Sequence, residues 1–261
     1  MKDSVLRILN ALTLLITLAV NGYGGAVGFN GRNVGEVSDA YPTFITPAGY
    51  AFSIWSVIYL LLIGFVVYQF VGKRREDLIQ QVGPWFIVSN LANSAWIVAF
   101  LSEAFGLSVL LMFTLLFSLV VMVVRLRIAT WDGGLREIFF VWWPIAIYLG
   151  WIVAASVVNV AATLVAAGWE GAPFSPELWS IIMISIATLV YLFLIATRNL
   201  RESAGVGIWA ILAISVAMSE KAPSVAVACY VAIGILSLAI LGHGYLNRAT
   251  NPFGKLMRGE W

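Results

Sequence analysis

The sequence has very few of the residues that carry metal, redox or hydrolytic chemistry. Its 261 residues include one cysteine, Cys229, and one histidine, His243. A lone cysteine excludes an intramolecular disulfide and any cysteine-based metal cluster. His243 could be an axial ligand for a haem or chlorin, but its place near the end of the last apolar run favours an interfacial side chain. With no Ser-His-Asp set or carboxylate pair in evidence, we predict no catalytic residues, no metal site and no obligatory cofactor.

Charge is also scarce, and long apolar runs take its place. Charged residues make up 11% of the chain and hydrophobic residues 61%, whereas a soluble domain carries about 25% charge. Continuous apolar runs of this length predict membrane-spanning helices, because backbone groups in hydrocarbon must pair within their own segment. We therefore predict an all-α polytopic membrane helix bundle with eight transmembrane helices. The runs are Val5–Val20, Ala48–Phe70, Trp85–Leu101, Leu107–Val124, Phe139–Ala167, Leu178–Ala196, Gly205–Met218 and Ser224–Gly244.

Basic residues fall almost entirely on alternate connections between these runs. Only Arg32 and Lys221 lie on the other set of connections. By the positive-inside rule, both termini are then cytoplasmic, in a bacterial inner membrane. This placement makes the basic residues determinants of topology, so we predict no nucleic-acid partner. The basic residues on the cytoplasmic side are Lys2, Arg7, Lys73, Arg74, Arg75, Arg125, Arg127, Arg136, Arg198, Arg201, Arg248, Lys255 and Arg258.

The middle of every run lacks ionisable side chains. Ion-coupled carriers and proton pumps generally need such groups, because a moving charge needs a partner in a low dielectric. The sequence therefore argues against a proton-driven carrier.

The first outer connection, from about Asn21 to Pro47, is unusually long and rich in glycine. A connection of this length is either a lid over an outward-facing site or a disordered segment. Its aromatic and proline residues favour the lid.

Two sets of polar and aromatic residues recur at helical spacing inside the runs. On the third run, Asn93 and Trp96 are three positions apart and share a helix face. Such faces are too polar for lipid. They form either helix–helix contacts, in which Asn contributes roughly 0.6–2 kcal/mol, or a pocket that grips a flat aromatic ligand. The corresponding face of the fifth run consists of Tyr148, Trp151, Ala155 and Asn159.

Three motifs in order along the chain resemble the translocator protein / tryptophan-rich sensory protein (TspO/MBR) family. Residues 42–59 read PTFITPAGYAFSIWSVIY, similar to the loop and second-helix signature of that family. The third and fifth runs carry the family patterns N-x-x-W-x-x-x-F and Y-x-x-W-x-x-x-A-x-x-x-N. The chain departs from the family at Ala48, where a second proline is usual, and at Tyr50, where tryptophan is usual. Trp55 is one position off the usual spacing.

The resemblance implies a five-helix core with a pocket beneath the first outer loop. The core would occupy residues 1–167, and residues 168–261 would add three transmembrane helices and a cytoplasmic tail. Pockets of this family bind porphyrins, so the implied ligand is a tetrapyrrole, with a sterol or a carotenoid as the other hydrophobic candidates. The implied ligand-binding residues are Asn93, Trp96, Tyr148, Trp151, Ala155, Asn159, Pro47, Phe52 and Trp55.

The sequence leaves the role of such a pocket open. The leading interpretation is a membrane protein that binds a flat hydrophobic ligand for sensing, trafficking or regulation. The alternatives are a porphyrin-degrading enzyme, a passive transporter of lipid or pigment, and a structural subunit. A homodimer and a larger membrane complex are both compatible with this pattern.

Overall fold

The computed structural model describes residues 2–71, 76–248 and 251–259, which fold into helices joined by short connections. Lys73, Arg74 and Arg75, expected on the cytoplasmic side, lie outside the described residues. A 3₁₀-helix, Gly49–Ser53, and a π-helical stretch, Ile138–Trp142, precede the third and eighth α-helices. In chain order the α-helices are α1 (Asp3–Ala26), α2 (Val34–Ala40), α3 (Ile54–Phe70), α4 (Glu76–Val82), α5 (Trp85–Leu101), α6 (Phe105–Arg125), α7 (Leu135–Glu137), α8 (Trp143–Ala166), α9 (Pro176–Arg198), α10 (Arg201–Met218), α11 (Pro223–Leu246) and α12 (Pro252–Met257).

Seven helical stretches in the described ranges are long and apolar enough to cross a membrane. The helix α5 is equally apolar but has only 17 residues. The predicted polytopic helical membrane bundle is therefore confirmed. The seven stretches are Asp3–Ala26, Gly49–Phe70, Phe105–Arg125, Leu135–Ala166, Pro176–Arg198, Arg201–Met218 and Pro223–Leu246.

The first outer connection is more regular than the sequence suggests. Helix α1 continues to Ala26, and α2 occupies seven residues of this connection. A capping box starts α2: Glu36 N donates to the Asn33 side chain at 3.1 Å, and Asn33 N donates to the Glu36 carboxylate at 2.7 Å. The sequence analysis did not predict this helix, because local capping stabilises a short helix that apolar periodicity does not reveal.

A polar seam holds α1 against α3 and α5 inside the bundle. Asn10 donates to the Gln69 side chain at 2.9 Å, and Thr17 donates to the Asn90 carbonyl at 3.0 Å. At the far end of α1, Asn21 donates to the Asn93 side chain at 2.7 Å. Each of these α1 residues is buried. The seam explains why one face of α1 carries polar residues at helical spacing: they bond to neighbouring helices instead of facing lipid.

Helix α8 lies between the two parts of the bundle, packing against α3 and α6 on one side and α10 on the other. Backbones approach closely where Ser203 Oγ of α10 donates to the Ala146 carbonyl at 2.6 Å. A methyl group at Gly150 would lie 2.6 Å from the Ser203 carbonyl oxygen. Tyr191 of α9 donates to the Gly150 carbonyl at 2.8 Å, and its ring packs on Gly207. Small residues thus let α9 and α10 dock directly on α8, and α11 packs against α9 and α10.

Candidate functional site

A largely apolar cavity lies between α2, α3, α5, α8 and α10, at the end of the bundle away from most basic residues. The space between its walls is about 530 Å³, including the part that opens outward. The centres of water molecules could occupy only about 40 Å³ of that space, so the walls lie close together. Its lining residues are Val34, Ser38, Pro47, Phe52, Trp55, Trp96, Phe100, Trp151, Ala154, Ala155, Val158, Asn159, Ala210 and Ile214.

Aromatic rings form the floor and one wall of this cavity. Trp55 lies centrally, with its ring centroid 6.2 Å from Trp96 and 6.1 Å from Trp151. Phe52 meets Trp151 edge-on at 6.1 Å, and Phe100 stacks on Trp96 at 5.5 Å. These distances are ordinary for interacting aromatic pairs. Trp55 therefore belongs to the cluster, although it is one position off the spacing of the family motif.

Asn159 fixes the ring of Trp96. Trp96 Nε1 donates to Asn159 Oδ1 at 2.9 Å, and Asn159 Nδ2 donates to the Ser108 hydroxyl at 3.0 Å. All three residues are buried. The Asn159 amide is therefore engaged on both sides, and its main effect in this state is to orient the tryptophan.

Asn93 and Tyr148 lie behind the cavity instead of lining it. Asn93 accepts from Asn21 at 2.7 Å and donates to the Tyr148 hydroxyl at 2.7 Å. The Tyr148 ring meets Trp55 edge-on at 5.9 Å. Seven of the nine residues identified from the sequence thus surround one space, whereas these two support the rings from the polar seam. Their role as ligand-binding residues stays a prediction.

Trp151 carries a polar atom with no partner. Its side chain is 3% exposed, yet Nε1 has no hydrogen-bond partner among the described residues. A buried donor without an acceptor is costly, typically by about 1–3 kcal/mol. Since Trp151 lines the cavity, a ligand with an acceptor atom could satisfy this group.

The first outer segment covers the cavity mouth. Val34 and Ser38 of α2 and Pro47 contribute to the lining. At its edge, Tyr41 donates to the Glu103 carboxylate at 2.5 Å, and Arg32 forms an ion pair with the same carboxylate. Glu103 lies in the turn between α5 and α6, so one carboxylate fastens the segment to the bundle at two points.

Helix α10 contributes to the cavity, which sequence reasoning did not predict. Ala210 and Ile214 line it, and Trp209 Nε1 donates to the Ala51 carbonyl at 3.1 Å. The sequence signal that could have indicated this packing is the pair Ser203 and Gly207, which have the spacing of small residues at close helix–helix contacts.

Chemically reactive side chains are sparse around the cavity. No group of three His, Cys, Asp or Glu residues that could hold a metal ion occurs within the described ranges. His243 lies in the last turn of α11, beside Asn247, at the opposite end of the bundle. The arrangement can therefore bind, stack and orient a ligand through aromatic rings and a small number of hydrogen-bonding groups.

Comparison with protein-family models gives one match, to the TSPO-like protein family, over residues 7–242. Searches of curated proteins and of solved structures gave no match. The family match extends well past residue 167, and so covers the three helices that the sequence analysis treated as additions. It also agrees with the three motifs on the second, third and fifth spans. The chain therefore belongs to the TSPO-like protein family.

Proposed function

We propose that this membrane protein binds a flat hydrophobic ligand, a tetrapyrrole in the first instance, between the aromatic side chains of the cavity. Its role would be sensing, trafficking or regulation. The observation that carries the proposal is the unpartnered Nε1 of buried Trp151 in an otherwise apolar cavity lined by aromatic rings. Large apolar faces with a few placed polar groups are typical of small-molecule sites.

A tetrapyrrole has the two features that would complement this cavity, a flat ring system and an acceptor atom. Its flat ring system can stack against Trp55, Trp96 and Trp151, and its carboxylate or ring nitrogen can accept from Trp151 Nε1. Sterols share the apolar bulk but have no flat aromatic ring system, and the polyene of a carotenoid has no acceptor atom along its length. The tetrapyrrole therefore remains the preferred ligand class.

Binding requires the first outer segment to move. The walls leave little room for a rigid ring while α2 and Pro47 cover the mouth. Loop rearrangement on binding occurs in a substantial minority of complexes. We expect the contacts of Glu103 to break or rearrange as the ligand enters.

The same proposal includes the arrangement in the membrane. Helix α5, at 17 residues, would be the eighth span, since 17 apolar residues are at the lower limit for crossing. An even number of spans puts both termini on one side, and the basic connections make that side the cytoplasm of a bacterial inner membrane. Residues 1–167 would form most of the ligand-binding core, and residues 168–261 would complete its wall through α10. The protein would act alone, in a homodimer or in a larger membrane complex.

The test is a titration of protoporphyrin IX into the purified full-length protein, followed by tryptophan quenching and by the shift of the porphyrin absorption band. Trp151→Ala should weaken binding about tenfold, the upper end of one aromatic pair. Trp151→Phe retains a ring but removes Nε1, so it should cost less. Ala155→Leu should block the cavity, because Ala155 lies in its wall.

Ala166→Leu is the matched control. Ala166 is exposed near the end of the same helix and does not line the cavity. It should bind like the parent protein. If Ala155→Leu and both Trp151 variants also bind like the parent, the cluster serves helix packing and the proposal is wrong.

A further inference from the structure

A second cavity lies at the basic end of the bundle, and we define it as the basal cavity. The volume of the basal cavity, including its opening, is about 990 Å³. It lies between the connection after α6, the end of α9 and the last turn of α11. Its lining residues are Ala129, Thr130, Trp131, Asp132, Gly133, Trp142, Ala196, Thr197, Arg198, Asn199, His243 and Asn247.

An apolar groove continues from the basal cavity toward the middle of the membrane. The groove runs between α6 and α9, with Leu149 of α8 as its floor, and has about 1040 Å³ including its open side. Thr130, Thr197 and Arg198 line both spaces. The remaining groove residues are Val120, Val123, Val124, Phe193 and Leu194. The two spaces together are polar at one end and apolar along the rest, as a phospholipid is.

The polar end carries cationic groups without partners in the described ranges. Arg198, in the last turn of α9, is half-buried, and its guanidinium has no hydrogen bond or ion pair there. Beside the basal cavity, Arg201 lines a neighbouring space and packs against Gly244 of α11, and its buried Nε has no partner among the described residues. Asn199 leaves a buried side-chain oxygen unpaired between them.

The acidic groups near this end are already engaged. Asp132 forms an ion pair with Lys255 of α12 at 2.5 Å, and Lys255 also donates to the Gly133 carbonyl. Glu202 accepts from Trp143 Nε1 at 3.1 Å and keeps its charge, but it lines a neighbouring space and not the basal cavity. His243 of α11 and Asn247, which follows the end of that helix, bond to each other and add no negative charge. Within the lining of the basal cavity, Asp132 is paired with Lys255, so no acidic residue of the lining balances the charge of Arg198.

We propose that the basal cavity and its groove bind one anionic phospholipid from the surrounding leaflet. The phosphate would pair with the guanidinium of Arg198, and an acyl chain would lie in the groove over Leu149. Basic pockets between spanning helices are suited to anionic headgroups. Trp131 and Trp142, whose rings meet edge-on at 5.3 Å, lie at this end as aromatic residues do at headgroup depth. A zwitterionic lipid fits less well, because its own cation repels Arg198. This site is separate from the aromatic cavity and does not depend on the function proposed for it.

The test uses the full-length protein in phosphatidylcholine vesicles that contain a small fraction of spin-labelled lipid. The fraction of label immobilised on the protein is compared for phosphatidylglycerol and for phosphatidylcholine with the same chains. We expect phosphatidylglycerol to be preferred, and Arg198→Gln to reduce the preference about fivefold, the usual effect of one cation near an anionic lipid. High salt should reduce it in the same direction.

Arg136→Gln is the matched control, since Arg136 is exposed at the same end and does not line either space. Val120→Phe fills the groove and should lower the immobilised fraction of both phosphatidylglycerol and phosphatidylcholine. Leu110→Phe, on an exposed part of α6 outside the groove, should leave both fractions unchanged. Thermal unfolding of each variant identifies any loss of folding. The proposal is overturned if Arg136→Gln lowers the preference as much as Arg198→Gln. It is also overturned if Val120→Phe changes nothing, or if inorganic phosphate at matched ionic strength displaces the lipid where chloride does not, because the site would then take a free anion.

Discussion

Removal of the Glu103 carboxylate should open the segment that covers the aromatic cavity. Tyr41 donates to this carboxylate at 2.5 Å, and a hydrogen bond to a charged group contributes about 1.5–3 kcal/mol. The ion pair with Arg32 adds less than about 1 kcal/mol, because its two side chains are 40% and 31% exposed. Glu103→Ala should therefore shift opening of the segment by about 2 kcal/mol, roughly thirtyfold.

Substitutions of Tyr41 and Arg32, the two partners of Glu103, should increase opening of the segment by less than Glu103→Ala does. Tyr41→Phe keeps the ring packed edge-on against Phe105 at 4.6 Å and loses only the hydrogen bond. Arg32→Gln loses only the exposed ion pair. We therefore expect opening to increase in the order Arg32→Gln, Tyr41→Phe, Glu103→Ala.

Hydrogen exchange of the amides in α2 measures this opening directly, because exchange reports the free energy of local unfolding. Asp39→Ala is the control, since it removes an exposed carboxylate from α2 itself without touching Glu103. Amides in the middle of α8 should be unaffected in every variant. Equal exchange in Glu103→Ala and Asp39→Ala would refute the reasoning, and would mean that packing of α2 alone closes the cavity.

Two further predictions concern the bundle and its orientation. Gly150→Ala should destabilise the protein by about 1–3 kcal/mol in thermal unfolding, because the added methyl group would overlap the Ser203 carbonyl. Gly234→Ala is the control and should be nearly neutral, since a methyl group there meets open space. Equal destabilisation by the two substitutions would contradict the close approach of α8 and α10. A reporter that is active only in the cytoplasm should give signal when fused to the C-terminus and none when fused after Met218, and the opposite result would exclude the proposed topology.

The resemblance to a known family located most of the candidate site, through motifs that are short and local. Trp96 and Asn159 belong to two of those motifs, and the structure brings them together at 2.9 Å. Periodicity placed each on one helix face, and polarity kept that face away from lipid. Neither argument could show which residues line the cavity and which support it, because Asn93 satisfies the same spacing yet bonds to Tyr148 behind the rings.

The sequence by itself determined the class of protein: apolar runs and scarce charge require spanning helices, since unpaired backbone groups are too costly in hydrocarbon. It could not determine which helices meet, because lipid-facing and protein-facing surfaces are similarly apolar in a membrane. The tertiary structure decided that α10 docks on α8 through Gly150 and Ser203, and so completes the cavity with Ala210. It also decided that Arg32, distant in sequence from Glu103, fastens the covering segment. Both are long-range contacts, which depend on the packing of the whole bundle. The spacing of Ser203 and Gly207 indicates a close helix contact but not which helix is the partner.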